Sequence, residues 1–481
     1  MESERGEVKI DRWGSPVRTS SDACISAINS YYEQFSPVLV KKTQFLNYGR
    51  NRSVILEASV HDKDCVLGNI LAAHFLYSSN SARASTHLES ARARLERATV
   101  YERAVFEAVS SLFGSGRDDD VAFELHKKLL KQFPKDLVSL KRAQLLCFYI
   151  GRPDLSLALV EQVLPQNREE SYVYGMLSFP LLELGRMSEA SEAAKKGYEI
   201  NPNDVWSQHN LCHVFQYECD FQEAVDFMKK CSSSWHCCSS FMYTHNWWHV
   251  AVCYLESSSA ITKVLEIYDH NIWKELQKSD VAYLEVYLNA LALLVRVYVR
   301  GPMDAFGERL KILADCVMDQ SLWNLEWHFD ILAVWALAST KREARAEDLL
   351  KTMKSRIRLL NSKKQLLMQR GILLAEVMFE YGRGNYDSAF RLLSPDFDSK
   401  EYKMIGASDE QLDVFNEVWY CILLHTGQYN KAIEVLEKQV ENRHGIPFLW
   451  RLLERGYSMA GRRQDAILAV KRASALEAAY S

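Results

Sequence analysis

Residues 171–204 read SYVYGMLSFPLLELGRMSEASEAAKKGYEINPND, and this stretch decides the fold. Tyr174, Leu177, Leu181 and Leu182 recur at three- and four-residue intervals, which is the period of one helix face. Gly185 follows, and Gly can carry a chain through a left-handed turn without steric cost. Ala190, Ala194 and Gly197 then mark a second helix whose small side chains permit a close crossing with the first. Pro202 ends the unit, because proline cannot continue the hydrogen-bond ladder. One helix pair cannot bury its own apolar stripe, so the stretch requires neighbours built the same way.

Those neighbours are present at a period of 34. Phe133-Pro134-Lys135-Asp136 returns as Asn201-Pro202-Asn203-Asp204, 68 residues later. Gly151 and Gly185 are 34 apart, as are Gly427 and Gly461, and Ala432 and Ala466. Ala122, Ala190 and Ala224 share the grid, with Ser156 in the remaining slot, and Gly384 with Ala389 repeats the Gly-to-Ala step. A unit of this length with this Gly–Ala–Pro grid resembles the tetratricopeptide repeat. The clearest copy starts at Pro447 and carries Trp450, Leu453, Tyr457, Gly461 and Ala466. The expected fold is all-α, an α-α superhelix (solenoid) of tetratricopeptide-like helix pairs. Residues 1–102 are expected to form an N-terminal helical cap with degenerate units, 103–240 regular repeats, 241–403 degenerate helical repeats, 404–412 a loop, and 413–480 the C-terminal repeats.

Composition agrees. The chain has 481 residues, of which 48% are hydrophobic and 25% charged, a globular balance. Its 10 Pro and 20 Gly fall below the roughly 24 and 34 of average usage, too little punctuation for a turn-rich β fold. The net charge is −4, without the basic excess that marks nucleic-acid or anionic-lipid binding, so neither nucleic acid nor membrane is expected as a partner. Residues 282–299 form the most apolar run, but Glu285, Asn289 and Arg296 interrupt it, as in a buried helix of a large protein. Residues 1–10 hold no apolar signal core, and the 11 cysteines then read as buried or free thiols of a cytoplasmic protein. An organellar location stays open. Cys237-Cys238 is a vicinal pair in a Ser-rich loop, and no C-x-x-C pair suggests a zinc ribbon.

A second likeness is more specific. Trp13, Pro16, Thr19 and Ser20-Ser21-Asp22-Ala23-Cys24, then Trp206-Ser207-x-His209-x-x-x-His213, His245-Asn246-x-Trp248-His249, Ile267-Tyr268-Asp269 and Asp413-Val414-Phe415-Asn416 resemble the tetratricopeptide repeat protein 38 family. The resemblance implies an α-helical repeat protein with no settled activity. Family members tend to carry His where this chain has Asn69 and Gln144.

Six of the 13 histidines fall within residues 209–270. His209 and His213 are four apart on a predicted helix and share one face, and His245 and His249 repeat that spacing. If Ala260 aligns with Ala224, both pairs take the fifth and ninth slots of neighbouring first helices, which face the groove in this repeat. Four imidazoles converging there suit a divalent transition metal. The same residues equally suit plain hydrogen bonding to Asn210, Asn246 or Tyr217, or a polar layer that contacts a ligand. His328 is a further groove candidate. Asn210 and Asn246 stand where a zinc protease would carry its glutamate, so that chemistry is absent. Trp247 and Trp248 read as core.

Two functions remain. The leading one is a non-catalytic scaffold that binds a protein or peptide in its concave groove and needs no cofactor. The alternative is a metal- or His-dependent enzyme around His209, His213, His245 and His249. The Lys–Asn signature that holds chaperone tails is missing: the fifth and ninth slots read Lys141 and Leu145, Gly175 and Phe179, then His209 and His213. The basic stretch 341–364 and Arg92, Arg94 and Arg97 interleave with acids and read as solvated helix faces.

Overall fold

A computed structural model describes residues 7–38, 54–77, 80–114, 117–258, 261–301 and 303–480. Ala260 and the side chain of Cys237 lie outside them, and with them the frame that relates the two histidine pairs and the reactivity of the vicinal thiols. The fold is all-α, built from antiparallel helix pairs. Among the described residues the only sheet is a two-stranded hairpin, Val8–Ile10 against Pro16–Arg18. No helix among them is long and apolar enough to cross a membrane.

The chain forms two compact units. The first comprises Met1–Asn210 with the short segments Cys237–Ser239 and Lys278–Ala282. Its core gathers Tyr32, Leu67, Ile70, Tyr101, Val105, Leu140, Leu159, Val160 and Val173. Glu102 fastens the N-terminal hairpin to this core. Its carboxylate closes a capping box with Thr99, and it accepts from Arg18 N at 3.2 Å and Leu67 N at 3.4 Å. The second unit comprises Leu211–His236, Ser240–Gln277 and Tyr283–Ser481. Trp235, Trp248, Trp335 and Trp419 are fully buried in it. Trp248 is core, as its slot predicts.

The turn inside each pair follows one pattern. Gly151, Gly185, Gly427 and Gly461 all have positive φ, from 69° to 77°, and each separates two helices. At Gly185 the amide donates to Leu182 O at 2.9 Å and the next amide, of Arg186, to Leu181 O at 2.9 Å. This double return bond satisfies the last carbonyls of the first helix. The same bonds and left-handed φ recur at Cys219 (63°) and Lys341 (62°), where no glycine marks the turn. Cys219 lies 34 residues after Gly185, so it holds the glycine slot of the repeat with a side chain.

Small residues set the crossings. Ala122, Ala190, Ala224, Ala346, Ala389 and Ala432 are completely buried. Ser178 Oγ donates to Ala190 O at 2.8 Å across one such crossing. At Gly197 a Cβ would meet Ser207 Oγ at 2.2 Å and the Ser171 carbonyl at 3.0 Å, so only glycine fits.

The loop expected at 404–412 is mostly structured. A 3-10 turn spans Ser399–Ile405, Gly406 turns left-handed at φ 75°, and Ser408 opens the helix Asp409–His425. The reason is a capping box, in which Ser408 and Gln411 satisfy each other's backbone amides. Residues 409–412 are therefore helical.

Two substitutions test this account. Lys341→Gly removes a left-handed strain of about 1 kcal/mol at an exposed turn, and the urea midpoint should rise accordingly. Ala190→Leu overpacks a closed crossing and should cost about 1–3 kcal/mol in the same measurement.

Candidate functional site

The helix Val205–Tyr217 carries His209, Asn210, His213 and Tyr217. The helix Ser240–Glu256 carries His245, Asn246 and His249. His209, Asn210, His245, Asn246, His249 and His328 are all buried, and His213 is partly buried. Only Tyr217 is well exposed, at 41%. The histidines thus line interior packing rather than an open face, because their helices are covered by further helices of their units.

In the second unit, His213 and His249 meet edge to face, with ring centroids 4.5 Å apart. Both converge on Glu410, in the first turn of the Asp409–His425 helix. His213 Nδ1 lies 2.7 Å from Glu410 Oε2, and His249 Nδ1 lies 3.4 Å from the same oxygen. His249 Nδ1 also donates to Gln216 Oε1 at 2.8 Å. Burial pushes the Glu410 carboxyl up, but His249 and His213 outweigh it and hold the group well below the usual carboxylate range. Burial lowers His249, with Glu410 opposing.

His245 is held differently. Its ring stacks between Phe241 at 4.8 Å and Trp248 at 5.1 Å. Its Nδ1 pairs with Asn289 Oδ1 at 3.0 Å, and Asn289 Nδ2 in turn donates to Thr244 Oγ1 at 2.8 Å and Phe241 O at 3.2 Å. His328 sits edge-on to Phe415 and does not belong to the group that converges on Glu410. Polar partners of the His245–His249 face are thus Asn289, Gln216 and Glu410.

A buried ionic network adjoins Glu410. Arg300 makes a two-pronged pair with Glu417, both contacts at 2.7 Å, and reaches Glu256 at 2.7 Å. Arg296, 1% exposed, lies 3.4 Å from Glu417, donates to the backbone oxygen of Glu410, and sits over the Trp248 ring. Arg443 joins Glu256 at 3.5 Å to Asp413 at 2.5 Å. The guanidinium forks match the carboxylates, which lets charges persist away from water.

In the first unit the first-helix slots build a second feature. Phe148, Phe179, Trp206 and His209 form a line of rings with successive centroids 6.0, 6.1 and 5.8 Å apart. Lys141 Nζ lies 4.0 Å from the Trp206 ring centroid. Gly175 makes room for Trp206, since a Cβ there would meet Trp206 Cβ at 2.7 Å. Asn210 Nδ2 donates to Gly175 O at 2.9 Å and pins that approach. Burial pulls the Lys141 ammonium down to about 7, and Asp204 offsets part of the effect. Asn69 and Gln144 have structural roles. Asn69 donates to Lys63 O and Cys65 O, and Gln144 to Met176 O and Ser156 Oγ.

Glu410, Gln216 and Asn289 escaped the sequence reading. Glu410 was placed in a loop, although Ser408 and Gln411 show the capping-box spacing that starts a helix one residue before it. Gln216 is three residues from His213 and so on its face, a spacing legible in the sequence.

No protein-family profile matches the chain. Among solved structures it is similar to a human IFIT1 dimer with m7Gppp-AAAA, at 12% identity, a TM-score of 0.35, and 95% of this chain against 91% of that one. A monomeric IFIT1 mutant with Gppp-AAAA aligns at 13% identity and a TM-score of 0.36 over the same shares. Likeness of this size assigns neither family nor ligand. The exclusion of nucleic acid drawn from net charge is nevertheless corrected. The two solved chains named above hold capped oligonucleotides, and the expectation of no nucleic-acid partner is withdrawn.

The ionic network makes a stability prediction. Glu417→Ala leaves Arg300 and Arg296 buried without their carboxylate and should cost about 3–5 kcal/mol in equilibrium unfolding.

Proposed function

We propose that the chain is a non-catalytic helical-repeat scaffold that binds an extended protein segment presenting a carboxylate, received by Lys141, Phe179 and Trp206. The observation that supports this reading is the Lys141 ammonium, buried and held 4.0 Å over the Trp206 ring. An ammonium stripped of water is costly unless an anion joins it. A carboxylate arriving beside it restores the charge, and the adjacent rings accept an apolar side chain of the same segment. Extended segments with one anionic anchor and one apolar anchor are a recurring way for repeat folds to read partners. Phe179, partly exposed, stands at a slot that faces the groove in tetratricopeptide repeats, which agrees with this use. Membership in the tetratricopeptide repeat protein 38 family is part of the proposal and is supported by the residue pattern quoted above. So is a cytoplasmic location, which suits the free thiols among the described cysteines.

The test is a display library of peptides with free or amidated C-termini, read against the wild type, Lys141→Met and Phe179→Ala. Peptides with a carboxylate should be enriched, and both variants should lose at least about tenfold in affinity. Selection of amidated, neutral peptides, or of RNA oligonucleotides in a parallel arm, would overturn the reading.

A pH dependence follows. The folded amine loses its proton near 7, whereas its ordinary value is 10.5. Carboxylate binding should therefore weaken as pH rises through about 7. Over the window from about 7 to 10.5 the unfolded chain holds the extra proton, so this residue makes folding stability rise with pH. Lys141→Met should flatten that slope in thermal melts.

A further inference from the structure

We propose that His213, His249 and Glu410 form a binding site for a divalent first-row transition metal inside the second unit, with the side-chain oxygen of Gln216 as a fourth donor. The reading goes beyond the scaffold function and uses different residues.

The donor set comes first. One ligand atom from each of His213, His249 and Glu410 lies within 4.8 Å of the others. Two imidazole nitrogens and one carboxylate oxygen suit zinc, ferrous iron or cobalt better than magnesium or calcium, which prefer oxygen alone. Zinc holds such ligands at about 2.0–2.2 Å, which places neighbouring donors about 3.3 Å apart in a tetrahedron. The His249 Nδ1 to Glu410 Oε2 distance of 3.4 Å already fits. The His213 Nδ1 contact of 2.7 Å has to open by about 0.6 Å, within the reach of one side-chain torsion. Gln216 Oε1 stands 2.8 Å from His249 Nδ1, the atom that also lies 3.4 Å from Glu410 Oε2.

Charge is the second argument. The connected network holds three guanidiniums, Arg296, Arg300 and Arg443, and three carboxylates, Glu256, Glu417 and Asp413. Glu410 is a further carboxylate next to it, bonded to Arg296 through its backbone oxygen and within electrostatic reach of Arg443, which two other carboxylates already share. A buried carboxylate needs a cation of its own, which a proton on the imidazoles or a metal ion can supply.

Placement is the third. Glu410 Oε1 and Gln216 Nε2 are buried and have no hydrogen-bond partner among the described residues. A cation held by both oxygens of the carboxylate would occupy the first. The positions are also prefixed: the Ser408–Gln411 box sets the helix start, and Arg296 holds the Glu410 carbonyl. On binding, each ligating Nδ1 gives up its proton, either to the other ring nitrogen or to solvent.

The test uses the full chain purified without a histidine tag and stripped with a chelator. It is titrated with Co²⁺ by visible absorption, and with Zn²⁺ by competition against a chromophoric chelator, with Mg²⁺ as control. Expected are about one Co²⁺ or Zn²⁺ per chain, a d–d spectrum, a higher melting temperature and no response to Mg²⁺. Glu410→Gln and His213→Gln should each weaken binding at least tenfold while keeping helical circular dichroism, and Lys141→Met should leave it unchanged. The partly exposed His213 carries the test if Glu410→Gln does not fold. Less than about 0.1 metal per chain in the wild type, or equal binding by a folded Glu410→Gln or His213→Gln, overturns the proposal.

Discussion

Two helices can cross closely only if the contact points are small and the chain between them reverses through a left-handed residue. The rest of this structure depends on that constraint. Ala190 and Gly197 let one helix of a pair approach its partner, and Gly185 supplies the reversal. Repeating the device sets successive first helices beside one another. That is why Phe148, Phe179 and Trp206, far apart in sequence, form one line of rings. The same close approach leaves no room at Gly175, where the Trp206 Cβ takes the place of a side chain.

The second unit spends its interior differently. Its helices are longer and largely apolar, yet Arg296, Arg300, Glu256 and Glu417 lie among them almost free of solvent. Replacing such a cluster by hydrocarbon is often neutral or stabilising, so stability alone does not account for it. What the cluster does is position. Arg296 binds the backbone of Glu410, stacks on Trp248, and so fixes a carboxylate in front of two imidazoles. Trp248 in turn packs the His245 ring, whose other face meets Phe241. The histidine-rich segment is thus partly ring packing and partly pairing with a buried carboxylate, and neighbouring residues of one helix divide the two roles.

The 34-residue grid made the fold legible, because burial in a stack of pairs imposes the same small and turning residues at the same places. Where a turn kept its bonds but lost its glycine, only the spacing of the grid marks it. Cys219 and Lys341 adopt the left-handed conformation at a local cost that surrounding packing outweighs, and no composition signal announces it. At 404–412 the misreading had a local cause. Polar residues suggested a loop, while a capping box of only two side chains was enough to begin a helix.

By itself the sequence determined the helix pairs, their turns, the burial of Trp248 and the pairing of His213 and His249 with neighbours at helical spacing, because these follow from local period and steric limits. Tertiary structure alone decided which groups meet those histidines. Glu410 is 161 residues from His249, and Asn289 is 44 from His245. It also decided that Lys141 rests on Trp206 and that Asn69 and Gln144 bind backbone carbonyls. Contacts of that range depend on how helices stack and on which buried charge finds a counterpart, and neither is written in the periodicity of a single segment.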